Sequence, residues 1–419
     1  MRRHDPDFPK AIVHIDGDSF FVSCELTRRP ELKGRPCVTG MERGIATAAN
    51  PEAKALGVIR GMRVSDIRRL YPGTVILESD YGLYRDIAGK MYEIVRRYAD
   101  DVEEYSIDEC FADLTGLDRP SHTTYEAMAR AIQADLHREL GVTFGAGLGV
   151  NKVTAKIASK WRKPAGFTVI RRGDIPRFLE ALPIGKVWGI GGRTTVSLRS
   201  LGIVTALDLA RKDRAWVDER CDKPLREIWE EFQGACVKPV VGGSEQHGFA
   251  SVQRTRTFWP ATADPAFLWS QVSSHAEDAC EKLRAGGRLA RRASIMLKTR
   301  DFSYLRSEAE LPDPTAAPEE VLRALRPRFE ALFRPGLAYR ASGISLHGLA
   351  VEEAMTGSLF APPERLSKSR AVHAAADRLA ARFGKGIVFL GSSWQAVKEG
   401  RKSGRPREKP SRGGIRFLE

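Results

Sequence analysis

Residues 10–22 read KAIVHIDGDSFFV and combine a buried strand with an abrupt turn. The apolar, largely β-branched run at 11–15 has the length and composition of a strand. It ends on an acid, Asp16. Gly17 and the pair Asp18-Ser19 then supply the residue types of a turn and a helix cap. The sequence therefore predicts a strand, a turn and a helix start, with a carboxylate where the strand ends.

The next segments continue the alternation of strands and helices. Helical spacing of apolar residues covers 83–98, a run with strand composition covers 105–114, and a second such run covers 142–150. The last one leads into a basic helix at 151–163, which Pro164-Ala165-Gly166 terminates. Together these elements predict an α+β sheet domain over residues 1–180.

Three shorter regions follow this domain. A small helical unit at 181–240 contains two short helices joined by a glycine hairpin around VWGIGGR, residues 187–193, and a linker follows at 238–245. Strand-like runs at 293–298 and 341–346 predict a third, α+β unit. An amphipathic segment at 372–383 leads to a basic tail from Lys398, which we expect to be disordered because it is rich in charge, Gly, Pro and Ser.

Composition limits the classes of function. The 419 residues are 42% hydrophobic and carry a formal net charge of +14, which favours a polyanionic partner, nucleic acid ahead of an anionic membrane. We expect no membrane helix, since no apolar run approaches the ~18 residues required. No secretory signal is evident, so we expect a cytoplasmic protein. The cysteines form no CxxC pair or zinc-finger spacing and are expected to be free thiols.

Three acids form the candidate catalytic group. Asp16 ends one strand, and Asp108 and Glu109 lie on a later hairpin strand that neighbours it in the predicted sheet. Such carboxylates can bridge two divalent cations, and oxygen ligands without His or Cys favour Mg²⁺ or Mn²⁺. Consecutive strand residues point to opposite faces, so Asp108 and Glu109 share a site only near a bend or strand end. The alternative is that these acids are simply solvated.

Two basic features accompany the acids. Lysines recur along the helix at 151–163 and form a positive stripe, which meets either a phosphate group or only solvent. The glycine hairpin at 187–193 resembles a helix-hairpin-helix, whose backbone N–H groups grip a phosphate without reading sequence, although such glycines also cap ordinary helices.

Three ordered motifs carry a family resemblance: HIDGDSFF at 14–21, SIDE at 106–109 and NKVTAKIAS at 151–159. Together they resemble the Y-family DNA polymerases of the DinB and UmuC type, over residues 10–350. The resemblance implies an α+β multidomain right hand. It has a ferredoxin-like palm and small fingers in residues 1–180 (fingers at 31–78), a helix-hairpin-helix thumb at 181–240, an α+β little finger at 249–350 and a regulatory, partly disordered tail at 351–419.

The resemblance also implies the catalytic site. Asp16, Asp108 and Glu109 take the positions of the metal ligands, and the Gly17 carbonyl adds an oxygen for the second of two Mg²⁺ ions, with Mn²⁺ as a substitute. The primer 3′-hydroxyl attacks the α-phosphate of a deoxynucleoside triphosphate, and no protein nucleophile is needed. The backbone N–H groups of Phe20 and Phe21 would face the triphosphate.

Further nucleotide contacts are implied by three positions. Phe21 takes the place of the aromatic steric gate that excludes a ribose 2′-hydroxyl. Lys163 matches the lysine that contacts the incoming triphosphate. One segment departs from the family: residues 50–57 read NPEAKALG where many members have Tyr-Glu-Ala-Arg, so Lys54 offers a point charge in place of a bidentate guanidinium.

The implied partners are primer-template DNA, deoxynucleoside triphosphates and the sliding clamp, with no membrane, and the chain is expected to be a monomer. The DNA contacts are assigned to Gly189, Gly191, Arg193, Arg254 and Arg256. A clamp-binding motif in modified form ends in Leu359 and Phe360, with Thr356 where a glutamine is usual; the alternative is an ordinary apolar contact.

The function implied is template-directed, distributive, low-fidelity DNA synthesis past damaged bases. One competing hypothesis is a catalytically silent DNA-binding accessory protein, which the retained acids argue against. Another is a different two-metal enzyme, such as a nuclease or nucleotide cyclase. The hairpin motif and the little-finger segment argue against that, because a cyclase needs no grip on duplex DNA.

Overall fold

The computed structural model describes residues 7–242, 250–351, 363–384 and 386–402. These residues form two compact units, one containing residues 7–242 and the other residues 250–402. Each unit has its own hydrophobic core. None of the helices in the described ranges is long and apolar enough to cross a membrane.

The first unit alternates strands and helices. Its strands are β1 (Ile12–Gly17), β2 (Cys37–Thr39), β3 (Ala48–Ala49), β4 (Val75–Leu77), β5 (Val102–Ser106), β6 (Glu109–Asp113), β7 (Phe144–Gly149) and β8 (Phe167–Val169). Its helices are α1 (Phe20–Arg28), α2 (Pro51–Ala55), α3 (Val64–Leu70), α4 (Tyr81–Val95), α5 (Tyr125–Leu140), α6 (Lys152–Trp161), α7 (Ile175–Glu180), α8 (Gly192–Ser200), α9 (Ala206–Ala210), α10 (Arg214–Arg220) and α11 (Lys223–Phe232).

The main sheet of this unit has the strand order β5-β6-β1-β7-β8, with β1 at its centre. Strand β1 is antiparallel to both β6 and β7, and all six of its residues are buried. Its alternating side chains enter two apolar layers: Val13 and Ile15 pack with residues of α4 and α5, whereas Ile12 packs with Ala155 of α6. A strand covered on both faces explains the continuous apolar run in the sequence.

The predicted strand at 105–114 is wrong in one respect, because the chain reverses inside it. Strand β5 ends at Ser106, residues 107–108 form the turn, and β6 starts at Glu109. Asp108 therefore lies in a hairpin turn and Glu109 at the first position of a strand. This reversal removes the difficulty that consecutive strand residues point to opposite faces.

Helix α6 approaches the sheet unusually closely because β7 presents glycines to it. A Cβ atom built on Gly147 would lie 2.2 Å from the Ser159 nitrogen and 2.3 Å from the Ala155 oxygen. A Cβ atom built on Gly145 would lie 2.4 Å from the Ser159 oxygen, and one built on Gly149 would lie 2.5 Å from the Ala155 nitrogen. The alternating glycines thus let the lysine-bearing helix lie directly on the strands that carry the acids.

We expect Gly147→Ala to destabilise the first unit by about 3 kcal/mol, because the backbone of α6 cannot yield to the added methyl group. The free energy of unfolding in urea would measure this. Gly173→Ala is the matched control, since a Cβ there has no neighbour within 4 Å, and it should leave stability nearly unchanged. Equal stability of the two variants would contradict the close packing of α6.

A smaller sheet of order β3-β2-β4, with α2 and α3, occupies the region predicted as fingers. Asn50 joins its parts: its Oδ1 accepts hydrogen bonds from the nitrogens of Ala53 and Cys37, at 3.1 and 2.9 Å. Pro51 follows as the first residue of α2, where its missing N–H costs nothing. The NPEAK segment is therefore a capped helix start.

The predicted helical unit is present as α8 to α11. Before the glycine hairpin, however, the structure has only a single 3-10 turn, Ile184–Lys186, in place of the first short helix. Gly189 has a φ of +91°, a conformation that favours glycine, and Gly191 caps the N-terminus of α8.

The second unit is a sheet covered by helices on one face. Its strands, ordered β11-β10-β12-β9, are all antiparallel. The elements are β9 (Ser251–Thr262), α12 (Pro265–Ala285), β10 (Arg288–Thr299), β11 (Tyr304–Thr315), α13 (Pro318–Leu332), β12 (Tyr339–Val351), α14 (Pro363–Phe383) and α15 (Trp394–Lys402).

The C-terminal segment packs on α12, so the predicted disorder from Lys398 is wrong for residues 398–402, which complete α15. The Ala396 nitrogen donates to Ser270 Oγ at 2.8 Å, and Ser393 Oγ donates to Glu277 at 2.6 Å. The guanidinium of Arg284 makes two 2.7 Å bonds to Asp377 of α14. These polar contacts hold α14 and the start of α15 on α12, and residues 398–402 continue that helix.

Candidate active site

The three predicted acids gather at one end of the main sheet. Asp16 on β1 pairs with Glu109 on β6 and with Gly145 on β7. The Gly17 nitrogen donates a 2.8 Å hydrogen bond to the Asp108 carbonyl, which fixes the hairpin turn beside the end of β1. The register of three neighbouring strands thus brings Asp16, Asp108 and Glu109 together, as the sequence predicts.

Lysines of α6 meet two of these carboxylates. Lys160 Nζ lies 3.1 Å from Asp16 Oδ2 and 3.0 Å from Glu109 Oε1. Lys156 Nζ donates to Glu109 Oε2 at 2.6 Å. These two lysines of the stripe therefore lie over the acids, where Lys156 is buried and Lys160 is exposed. Contact of the stripe with a phosphate group stays a prediction.

The protonation of Glu109 follows from these neighbours. Burial opposes its charge, but His14, whose Nε2 lies 3.8 Å from Glu109 Oε2, and the ammonium group of Lys156 outweigh burial and lower the pKa of Glu109. His14 is fully buried; burial lowers its pKa, and its Nδ1 lies 2.7 Å from Ser159 Oγ. We therefore take Glu109 as ionised, with the ammonium groups of Lys156 and Lys160 at 2.6 and 3.0 Å from its carboxylate oxygens.

Asp108 differs from the other two acids. Burial, with the nearby charges of Glu109 and Asp16, raises its pKa against the opposing effect of a 2.7 Å hydrogen bond from Ser106 Oγ. Three carboxylates at one point repel one another, so a cation that neutralises them would favour ionisation of all three.

The donor set fits a hard divalent cation. It consists of carboxylate oxygens and the Gly17 carbonyl, the ligand type of Mg²⁺ and Mn²⁺. Asp16 Oδ2 is buried without a well-aligned hydrogen bond. The ammonium group of Lys160 lies next to it and next to Glu109, so a positive charge already occupies this position. Within the described ranges, no three His, Cys, Asp or Glu side chains are already arranged around a common metal position, and the Asp108 carboxylate accepts a hydrogen bond from Ser106.

Lys163 also lies in this group. Its Nζ donates to the Asp16 carbonyl at 2.8 Å, contacts the Asp16 carboxylate, and lies 3.3 Å from the Gly17 carbonyl and 3.1 Å from Asp18 Oδ1. The structure thus places Lys163 at the oxygen atoms predicted for the metal site. Its role in binding a triphosphate stays a prediction.

The N-terminus of α1 opens beside these groups. Ser19 precedes the helix with a φ of +46° and makes no side-chain cap, so its hydroxyl does not occupy the first-turn N–H groups. Phe20 is buried, and its nitrogen begins the helix. Lys54, exposed at the end of α2, donates to Ser19 Oγ at 3.1 Å. Its ammonium group therefore lies at the helix start, where an anion is favoured.

Phe21 is half-buried and held by two tyrosines of α4. Its ring stacks on Tyr84 with centroids 4.5 Å apart and planes 9° apart, and meets Tyr81 edge-on at 5.7 Å. The Tyr84 hydroxyl donates to the buried carboxylate of Glu25 at 2.8 Å, which fixes the tyrosine ring. This packing gives Phe21 a defined position one helical residue beyond Phe20.

The residues predicted to contact DNA differ in exposure. Gly189, Gly191 and Arg193 are exposed at the glycine hairpin, and the first turn of α8 lacks a side-chain cap. Arg254 and Arg256 are half-buried on β9, on the same side as the buried Val252 and Phe258, and Arg256 Nη1 lies 3.4 Å from Gln271 of α12.

These arginines thus point toward the helix-covered side of their sheet, since side chains alternate along a strand. The exposed positions of β9 are instead Ser251, Gln253, Thr255, Thr257, Trp259 and Pro260. DNA contact by Arg254 and Arg256 stays a prediction, and Arg256 already has a contact to a helix of its own unit.

Sequence reasoning missed the roles of Lys156, Lys160 and Tyr84. The spacing of the lysines was visible, but their target depends on the close approach of α6 that the glycines of β7 permit. Tyr84 lies at a helical position that the sequence predicts as buried, but nothing in the sequence indicates that it stacks on Phe21. Leu359 and Phe360, the predicted clamp motif, lie outside the described residues.

Comparisons with known proteins agree with this geometry. Residues 15–160 match the impB/mucB/samB family, residues 172–203 match the helix-hairpin-helix motif of that family, and residues 250–359 match its C-terminal domain. These matches cover more than half of the chain and include all three acids.

Named relatives cover most of the chain. A DNA polymerase IV of Methanoculleus marisnigri is 34% identical over 321 residues, 75% of this chain and 88% of the relative. A DNA polymerase IV of Desulfatibacillum aliphaticivorans is 31% identical over 383 residues, 90% and 95% of the two chains.

Solved structures share the fold. A Y-family DNA polymerase chimera superposes with a TM-score of 0.68 at 23% identity, covering 81% of this chain and 99% of its own. An insertion ternary complex of Dbh DNA polymerase gives a TM-score of 0.56 at 22% identity with the same coverage. The predicted α+β right-hand fold class is confirmed.

Proposed function

Because this chain belongs to the impB/mucB/samB family and is a DinB-type Y-family DNA polymerase, we propose that it extends a primer by two-metal phosphoryl transfer. The family acts in translesion synthesis. The further parts of the proposal are low fidelity, distributive synthesis and the assignment of individual residues.

The observation that carries the proposal is the meeting of Asp16, Asp108 and Glu109 at one end of the sheet, beside the uncapped start of α1. A cluster of acids next to a helix N-terminus offers cation ligands and an anion site side by side. That combination suits a triphosphate with its divalent cations.

The chain's own residues supply positions and charges. Asp16, Asp108, Glu109 and the Gly17 carbonyl would hold two Mg²⁺ ions, with Mn²⁺ as a substitute. When bound, the ions would lower the pKa of the primer hydroxyl and neutralise the departing pyrophosphate. Lys160 and Lys163 contact the carboxylates in the structure and, on this proposal, turn to triphosphate oxygens when the ions bind.

The helix start orients the nucleotide. The N–H groups of Phe20 and Phe21 and the ammonium group of Lys54 face the phosphates, and the ring of Phe21 closes the space beside the sugar 2′-carbon. No side chain is required to act as a nucleophile, so the catalytic effect comes from positioning and charge stabilisation.

Primer extension on undamaged and abasic-site templates tests this proposal. We expect the purified protein with Mg²⁺ to add deoxynucleotides on both templates and to release the DNA after few additions when a trap is present. Extension that stops at the abasic site would contradict bypass. DNA binding with no incorporation in Mg²⁺ or Mn²⁺ would favour the accessory-protein alternative.

A further inference from the structure

Lys160 joins two of the three acids through a single ammonium group. Its Nζ lies 3.1 Å from Asp16 Oδ2 and 3.0 Å from Glu109 Oε1, so it forms an ion pair with each carboxylate. The two acids come from different strands, β1 and β6, whose register places them directly opposite each other. The ammonium group therefore lies against the two carboxylates that the proposed function assigns to divalent cations.

Two lysines one helical turn apart on α6 hold Glu109 in different ways. The side chain of Lys156 is only 8% exposed, and its Nζ lies 4.1 and 4.9 Å from the ring centroids of Tyr105 and Trp188. The side chain of Lys160 is 49% exposed. Packing thus fixes Lys156, whereas Lys160 can leave the carboxylates without opening a cavity, because its stem is flexible and its ammonium group is well hydrated.

The charges at this end of the sheet nearly cancel. The three acids are joined by Asp18, whose Oδ1 lies 3.1 Å from the ammonium group of Lys163. Opposite these four carboxylates lie three ammonium groups, those of Lys156, Lys160 and Lys163. A divalent cation therefore gains less here than at carboxylates alone, since the lysines already neutralise much of their charge.

The start of α1 offers Lys160 a second partner once a nucleotide is bound. Only three residues separate Asp16, which Lys160 contacts, from Phe20, the first residue of the helix. The Ser19 side chain makes no cap there, and the N–H groups of an uncapped helix start favour a phosphate. A triphosphate at this point brings acceptor oxygens close to the carboxylates that now hold the ammonium group.

We propose that Lys160 is an internal counter-ion that makes divalent-cation binding depend on the nucleotide. Without nucleotide, its ammonium group competes with the cation for Asp16 and Glu109. With a triphosphate at the start of α1, the ammonium group moves to phosphate oxygens and leaves both carboxylates to the cation. The ion and the nucleotide therefore bind cooperatively, and each raises the affinity for the other by the same factor. This inference rests on the proposed function and adds a regulation of the same site.

Two measurements on the full chain bound to primer-template test the competition. Electron paramagnetic resonance would give the affinity for Mn²⁺ when no nucleotide is present. The dependence of single-turnover incorporation on deoxynucleotide concentration would give the affinity for the nucleotide. The first measurement does not depend on catalysis, so it reports on the counter-ion role even where incorporation is slow.

Lys160→Met removes the ammonium group and keeps a long, flexible side chain. We expect Mn²⁺ to bind this variant about tenfold more tightly without nucleotide, because the cation no longer displaces two ion pairs. The variant should need about tenfold more deoxynucleotide for half-maximal incorporation, since the phosphates lose one charged donor. Damage to the site would instead weaken both affinities. Lys160→Gln should give the same pair of opposite shifts, and thermal unfolding checks that both variants fold.

Arg162→Met is the matched control. Arg162 is exposed at the C-terminal cap of α6, and its substitution removes the same charge from the same helix. Within the described ranges its guanidinium forms no ion pair with the three acids. Both affinities should stay near those of the wild type. The control thus separates the direct contacts of Lys160 from a general effect of net charge.

The outcomes distinguish this inference from the proposed function. Equal or weaker Mn²⁺ binding by Lys160→Met, with normal incorporation by the wild type, overturns the counter-ion role alone. An unchanged nucleotide requirement in that variant overturns the transfer of the ammonium group to the phosphates. A wild type that incorporates no deoxynucleotide with Mg²⁺ or Mn²⁺ would overturn the proposed function, and this inference with it.

Discussion

Asp108→Ala is expected to abolish nucleotide incorporation, with a loss of ~10³-fold or more, while binding to primer-template stays measurable. Removing one preorganised charge-stabilising group typically costs ~10²–10³-fold, and a shared ligand of two ions should lie at the upper end. The carboxylate of Asp108 makes its only described side-chain hydrogen bond within the hairpin turn, to Ser106, so its removal should not unfold the sheet. Single-turnover incorporation with Mg²⁺ would measure the effect.

Glu104→Gln serves as the control for Asp108→Ala. Glu104 lies on β5 of the same hairpin. Its carboxylate forms an ion pair with Arg96 at 2.6 Å, away from the three acids. It should retain incorporation near the wild-type rate. Normal incorporation by the Asp108 variant would remove that residue from the site and leave Asp16 and Glu109 as the ligands.

Phe21→Ala is expected to relax sugar selectivity by ~100-fold, because a cavity replaces the ring that occupies the space beside the sugar. The structure adds a reason for a sharp effect: stacking on Tyr84 and edge contact with Tyr81 hold the ring in one place. The ratio of kcat/KM for deoxynucleotides to that for ribonucleotides would measure it.

Tyr84→Phe is the matched control for Phe21→Ala. It keeps the stacked ring and removes only the hydroxyl that donates to Glu25, so selectivity should change little. Unchanged sugar selectivity in Phe21→Ala would mean that Phe21 is only a core residue of α1 and that another group excludes the 2′-hydroxyl.

The sequence predicted the strand and turn at 10–22, because composition carries that information locally. The gathering of Asp16, Asp108 and Glu109 was predicted from the neighbouring strands of the expected sheet and from the family resemblance. The sequence did not predict the turn at 107–108, since residues 105–114 have strand composition throughout. The hairpin is set by pairing with β1, where Asp16 lies opposite Glu109. Pairing between distant strands leaves no local pattern.

The target of the lysines was beyond sequence reasoning for a related reason. A helical stripe of Lys156, Lys160 and Lys163 fits either solvent or phosphate, and only the glycine-lined approach of α6 to β7 puts it over the carboxylates. The inward direction of Arg254 and Arg256 likewise depends on which face of β9 the helices cover.

If the three acids hold two divalent ions, those ions can be counted. Electron paramagnetic resonance would titrate Mn²⁺ into the full chain bound to primer-template and a non-hydrolysable deoxynucleotide analogue. We predict two ions per wild-type molecule and fewer than two in Asp108→Ala at the same concentration. Two ions retained by the Asp108 variant, or one in the wild type at saturation, would contradict the account.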